Sequence, residues 1–149
     1  MENYCTNTRS YFYLYGEDFP IEDFTKDIGI NPTEAYRIGE EFIRGKNKHT
    51  RGVTAWELHE DYVMTDSPEE LIHKLVDTLF NSVDIIINYK EKYNLDCKVV
   101  TVVNFKTHQT RGIIINNRLI EFAHKINAEY DFDIYNEVWI VKNLVNLFS

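Results

Sequence analysis

The chain has 149 residues, of which 44% are hydrophobic and 14% aromatic, and it carries a formal net charge of −8 at pH 7. That is enough apolar material for one domain to bury a core without a disulfide or a metal, and it excludes a globally disordered chain. The acidic balance argues against nucleic acid as the main partner, since such binding rests on neutralising phosphates, and no apolar run approaches the roughly 18–20 residues of a membrane span.

The first residues, Met1 to Cys5, lack the basic start and apolar stretch of a signal peptide, so a cytoplasmic location is expected. The two cysteines, Cys5 and Cys97, fit that setting as small hydrophobes rather than as a disulfide.

Ser10 to Gly16 is apolar or aromatic at nearly every position and predicts a strand buried on both faces. Pro20, two acids and Gly29 then bracket a short helix whose Ile21, Phe24 and Ile28 share one face. Asn31-Pro32-Thr33 is a turn, and a short strand is expected from Ala35 to Gly39. The stretch 40–52 reads as a mobile loop, followed by a strand from Val53 to Val63 on which Trp56 and Leu58 oppose Glu57 and His59.

Ser67-Pro68-Glu69-Glu70 has the pattern of a capping box and should open a long helix running to about Tyr93. Leu71, Leu75, Leu79, Val83 and Ile86 form its apolar stripe. Ile85 and Ile87 make its second half apolar almost all round, which calls for cover on two sides or a second chain. Cys97 to Phe105 predicts a β-branched central strand. A turn at 107–111, a short strand from Gly112 to Ile115, a helix capped by Asn116 or Asn117, and a strand alternating Tyr130, Phe132 and Ile134 with Asp131 and Asp133 complete the order.

The predicted order is β-α-β-β-α-β-β-α-β with a C-terminal segment, in a single α+β domain spanning 1–149. A mainly antiparallel sheet with helices on one face is expected.

Several short pieces of this chain carry a likeness. They are the opening Tyr11-Phe12-x-Leu14-x-Gly16-x-Asp18-Phe19, Phe24-Thr25 with Gly29-Ile30-x-Pro32-Thr33, and Trp56-Glu57-Leu58. The leucine-striped helix, Ile120-Glu121-Phe122 and Asp131-x-Asp133-Ile134-Tyr135 add to them. With these the chain resembles a bacterial family known only as a domain of unknown function, of the 4279 type, over about residues 10–135. Residues 136–149 form an extension beyond that pattern. The resemblance implies a small single-domain bacterial protein and brings no catalytic residues with it.

No nucleotide-binding fingerprint, nucleophile elbow or zinc-ligand spacing is legible, so no catalytic residue, metal or cofactor is expected. His59-Glu60-Asp61 could serve as base or ligand, but neighbours on a strand point to opposite faces unless a bulge intervenes. Asp131 and Asp133 share a strand face, as paired carboxylates or as plain solvent-side residues.

Two functional readings follow. The first is a non-enzymatic protein-binding module, an adaptor or immunity-like protein whose acidic surface steers a basic partner. The second is a small-molecule binder or enzyme with a pocket between the sheet and the 40–52 loop, lined by Tyr36, Trp56, Arg44 and Arg51. The apolar C-terminal segment, with Trp139, Leu144, Leu147 and Phe148, either packs on its own domain or forms an interface, most simply in a homodimer.

Overall fold

The computed structural model describes residues 6–106 and 112–136. The expected turn at 107–111 and the expected interface residues Trp139, Leu144, Leu147 and Phe148 lie outside the described residues.

Strand β1 (Thr6–Gly16) is the centre of the fold. The remaining strands of the main sheet are β2 (Glu34–Tyr36), β5 (Thr54–His59), β6 (Val63–Thr65), β7 (Asp96–Phe105) and β8 (Glu129–Asn136). They are arranged as β2-β5-β1-β7-β8, with β6 also paired to β1. All pairings are antiparallel except β7 with β8, which are parallel. Parallel neighbours need a crossover, and helix α4 (Asn117–Ile126) supplies it.

Strands β5 and β6 line the same side of β1. Between the pairs His59↔Tyr11 and Val63↔Thr8, Glu60, Asp61 and Tyr62 oppose only Arg9 and Ser10. The strand expected from Val53 to Val63 is therefore interrupted by a bulge-like insertion immediately after His59.

Helices α1 (Ile21–Ile28), α2 (Glu69–Leu79), α3 (Val83–Tyr93) and α4 cover one face of the sheet. Their buried side chains meet Phe12, Leu14, Trp56, Cys97 and Val99 in one core cluster. Aromatic edges lock its centre: the Phe24 ring lies 5.2 Å from Trp56 and 5.0 Å from Tyr89, both edge-on.

The α+β class, the helices on one face and the order of the elements are those expected. Gly29 ends α1 at φ 69°, the left-handed geometry that glycine adopts without strain, and the Asn116 side chain caps α4 by accepting from the Leu119 N–H at 3.1 Å.

Four local expectations are corrected. The helix from Ser67 to Tyr93 is split by a tight 3₁₀ turn at Phe80–Ser82 into α2 and α3, and Ser67 makes no side-chain cap. The 40–52 stretch is a hairpin of β3 (Glu41–Arg44) and β4 (Asn47–Thr50), turned by Gly45-Lys46 with Gly45 at φ 64°. Residues 112–116 form no strand. Strand β1 is buried on one face only, because Asn7, Arg9, Tyr11, Tyr13 and Tyr15 are half-exposed. Ile85 and Ile87 pack half-buried against the domain's own core, so α3 is covered from two sides within the chain. No helix among the described residues is long and apolar enough to cross a membrane.

Candidate binding surface on the open face of the sheet

Strand geometry sends alternate residues to opposite faces. In β1 the even positions enter the core, and Arg9, Tyr11, Tyr13 and Tyr15 point to the face without helices. The register extends this face in rows: Glu34, Glu57, Tyr13, Lys98 and Glu129 stand side by side across β2, β5, β1, β7 and β8. A second row runs His59, Tyr11, Val100 and Asp131, and a third Arg9, Val102 and Asp133. Val100 is only 1% exposed although it lies on this face, so the tyrosine layer has an apolar floor.

Tyr13 and Tyr15 stack with ring centroids 4.5 Å apart, and the Arg9 guanidinium lies over the Tyr11 ring at 5.4 Å. The Tyr36 hydroxyl donates to Glu57 Oε1 at 3.2 Å and accepts from the Tyr13 hydroxyl at 3.1 Å, a short chain of donors ending on a carboxylate. Burial pushes the Tyr36 phenol well above its ordinary value, and burial also raises Tyr13 and Tyr11. Glu57 is raised too, first by burial and then by the facing Glu34 carboxylate. These phenols therefore stay protonated through the physiological range and keep their hydroxyl protons for hydrogen bonding.

Of the four residues expected to line one pocket, the structure brings two together. The Arg51 guanidinium sits 3.7 Å above the Tyr36 ring and 4.0 Å from Phe42, and pairs with Glu34 at 2.7 Å. Trp56 is on the opposite face, completely buried, where its indole N–H donates to Thr25 Oγ1 at 3.1 Å. Arg44 is exposed near the hairpin turn, opposite Asn47. The Glu60 carboxylate is held by Lys74 of α2 at 2.6 Å. His59 instead shares the open face with Glu57, and Asp131 and Asp133 share it at the β8 edge, where Lys98 reaches Asp131 at 3.5 Å.

On the helix side a cavity of about 110 Å³ lies between β1, β5 and α2, lined by Ser10, Leu58, Leu71 and Leu75 among others. The Lys74–Glu60 ion pair, at 2.6 Å, belongs to its wall. It falls short of the roughly 300 Å³ at which small-molecule sites begin.

The open face thus presents aromatic side chains that carry a hydroxyl tip, with carboxylates at both of its edges. The chain belongs to the family described as "Domain of unknown function (DUF4279)", which matches residues 6–137. No curated protein and no solved structure matches it.

The apolar run from Ser10 to Gly16 predicts Tyr11, Tyr13 and Tyr15 as buried, whereas the structure leaves them half-exposed. The signal was present, since every odd position of that run is a tyrosine whose hydroxyl needs water or a partner, while Phe12 and Leu14 between them have none. Glu34 carried no comparable signal, because only strand pairing places it against Glu57.

Proposed function

We propose that this protein is a non-enzymatic protein-binding module, adaptor or immunity-like, that takes a basic partner on the open face of its sheet. One observation carries the reading. The half-exposed layer of Tyr11, Tyr13, Tyr15 and Tyr36 carries Glu34 and Glu57 on its β2 and β5 side and Asp131 and Asp133 on its β8 side. Tyrosine gives large contact area with few rotors to immobilise, and the flanking carboxylates favour a cationic surface over an anionic one. A bacterial, cytoplasmic setting belongs to the same reading.

The test is titration of the full chain with a fluorescent Lys/Arg-rich peptide and with its Glu-rich counterpart, at low and at high salt. Binding of the basic peptide alone, weakened by salt and lost in the double variant Asp131→Lys/Asp133→Lys, is the expected result. Equal binding of both peptides, or binding unchanged in that variant, overturns it. The alternative small-molecule site beside Trp56 keeps only Tyr36 and Arg51, since Trp56 lies across the sheet from them.

A further inference from the structure

We infer that Glu34, Glu57 and His59 form a binding site for a divalent transition-metal ion, of the Zn²⁺ type, at the β2 edge of the open face. One ligand atom from each residue can be chosen so that all lie within 4.8 Å of one another, a spread that small side-chain rotations would close onto a single cation. Their convergence follows from the backbone. Antiparallel pairing sets Glu34 directly opposite Glu57, and His59 follows Glu57 by two residues on the same face. Thr33 fixes the end of this unit. Its hydroxyl donates to the His59 carbonyl at 2.8 Å and accepts from the His59 N–H at 3.0 Å. The three ligands thus sit on two hydrogen-bonded strands rather than on loops, which is the arrangement a preformed site needs.

The surroundings of each ligand suit a metal. His59 Nδ1 lies 3.3 Å from the Glu60 carbonyl oxygen. A carbonyl only accepts, so the proton belongs on Nδ1 and Nε2 keeps its lone pair, the form in which imidazole binds metal. Arg51 holds Glu34 through Oε1 at 2.7 Å, and Tyr36 holds Glu57 through Oε1 at 3.2 Å. Each contact orients a carboxylate while leaving its other oxygen to a cation, as outer partners do around metal ligands. Two carboxylates facing across adjacent strands repel each other, and a cation between them removes that repulsion. One imidazole with two carboxylates is a donor set for zinc and its neighbours. Calcium and magnesium prefer oxygen alone. Three protein ligands leave a coordination position open to water or to a group from outside the chain.

This site shares Glu34 and Glu57 with the proposed basic-partner surface but does not rest on that reading, and a titration with metal alone tests it separately from any peptide binding. The experiment is calorimetric titration of the chelator-treated full chain with Zn²⁺, with Co²⁺ absorption as a spectroscopic check of nitrogen and oxygen ligation. A single ion is expected to bind. Affinity should fall by more than about tenfold in His59→Ala and in Glu57→Gln, since even outer partners are worth roughly 10–100-fold. Glu34 is exposed, so Glu34→Gln, which should weaken binding likewise, provides a variant whose fold is not at risk, and Asp84→Asn on α3 should leave binding unchanged. Absence of saturable binding overturns the inference. So does binding that survives the His59 and Glu57 variants, or Ca²⁺ binding as tight as Zn²⁺ binding.

Discussion

The two faces of one sheet make an internal comparison. Strand β1 contributes Phe12 and Leu14 to one face and Tyr11, Tyr13 and Tyr15 to the other, so the same eleven residues build a sealed core and a wettable surface. On the helix side, buried hydroxyls of the sheet satisfy each other: those of Ser10 and Thr101 bond at 2.8 Å, and those of Thr6 and Thr8 at 2.7 Å. On the open side, charges and phenols lie in rows with spare hydrogen-bonding capacity. Burial drives the first face, and the second keeps its hydroxyls and carboxylates in water, where they carry no desolvation cost.

The sharpest way to break this contrast is to truncate a large side chain on each face. Trp56→Ala should destabilise the domain by about 3–5 kcal/mol in urea unfolding, since the indole fills a fully enclosed site and its N–H bond to Thr25 is lost as well. Thr101→Val should cost about 1–3 kcal/mol by stranding the buried Ser10 hydroxyl, whereas the double change with Ser10→Ala should recover part of that loss.

Tyr130 sharpens the picture with pH. Its hydroxyl donates to the Leu119 carbonyl at 2.6 Å, and burial pushes its ionisation up to about 12 from the model-peptide value of 10.0. Because the folded-state value lies above the unfolded one, the contribution is fully present below pH 10 and is lost as pH rises through 12. Thermal melts should therefore fall across that window, and Tyr130→Phe should flatten the fall; an identical decline in the variant would assign it to other groups.

Smaller still is the effect expected on the open face. Tyr15→Ala gives up a stacked pair at the surface and should cost no more than about 1.5 kcal/mol, while weakening capture of the basic peptide. A loss as large as that of Trp56→Ala would show that the open face is part of the core. The least perturbing probe is Cys97, buried and with its thiol raised by that burial. In a Cys5→Ser background it should resist a disulfide reagent until denaturant is added; rapid native labelling would contradict the burial of β7.

The helices were legible because their signals are local. Spacing at Ile21, Phe24 and Ile28, the glycine stop at Gly29 and an asparagine cap at Asn116 or Asn117 each act within a few residues, and each appears in the fold, the cap falling on Asn116. The 3₁₀ break at Phe80–Ser82 left no such mark, since the apolar stripe runs through it without a proline or glycine. The hairpin of β3 and β4 was read as a loop because its strands are polar and exposed, and strand periodicity shows only where one face is buried. Gly45-Lys46 was its one local clue.

The candidate sites divide along the same line. Alone, the sequence determined that this is an acidic α+β domain, that it belongs with a family over most of its length, and that Glu57 and His59 share a strand face. Such properties depend on composition and on contacts between near neighbours in the chain. Only the tertiary structure decided that Glu34 stands against Glu57, that Arg51 lies over Tyr36, and that Trp56 faces away from both. Those outcomes depend on which strands pair and in what register, a choice made by burying the apolar surface of the whole chain, and no short segment carries it.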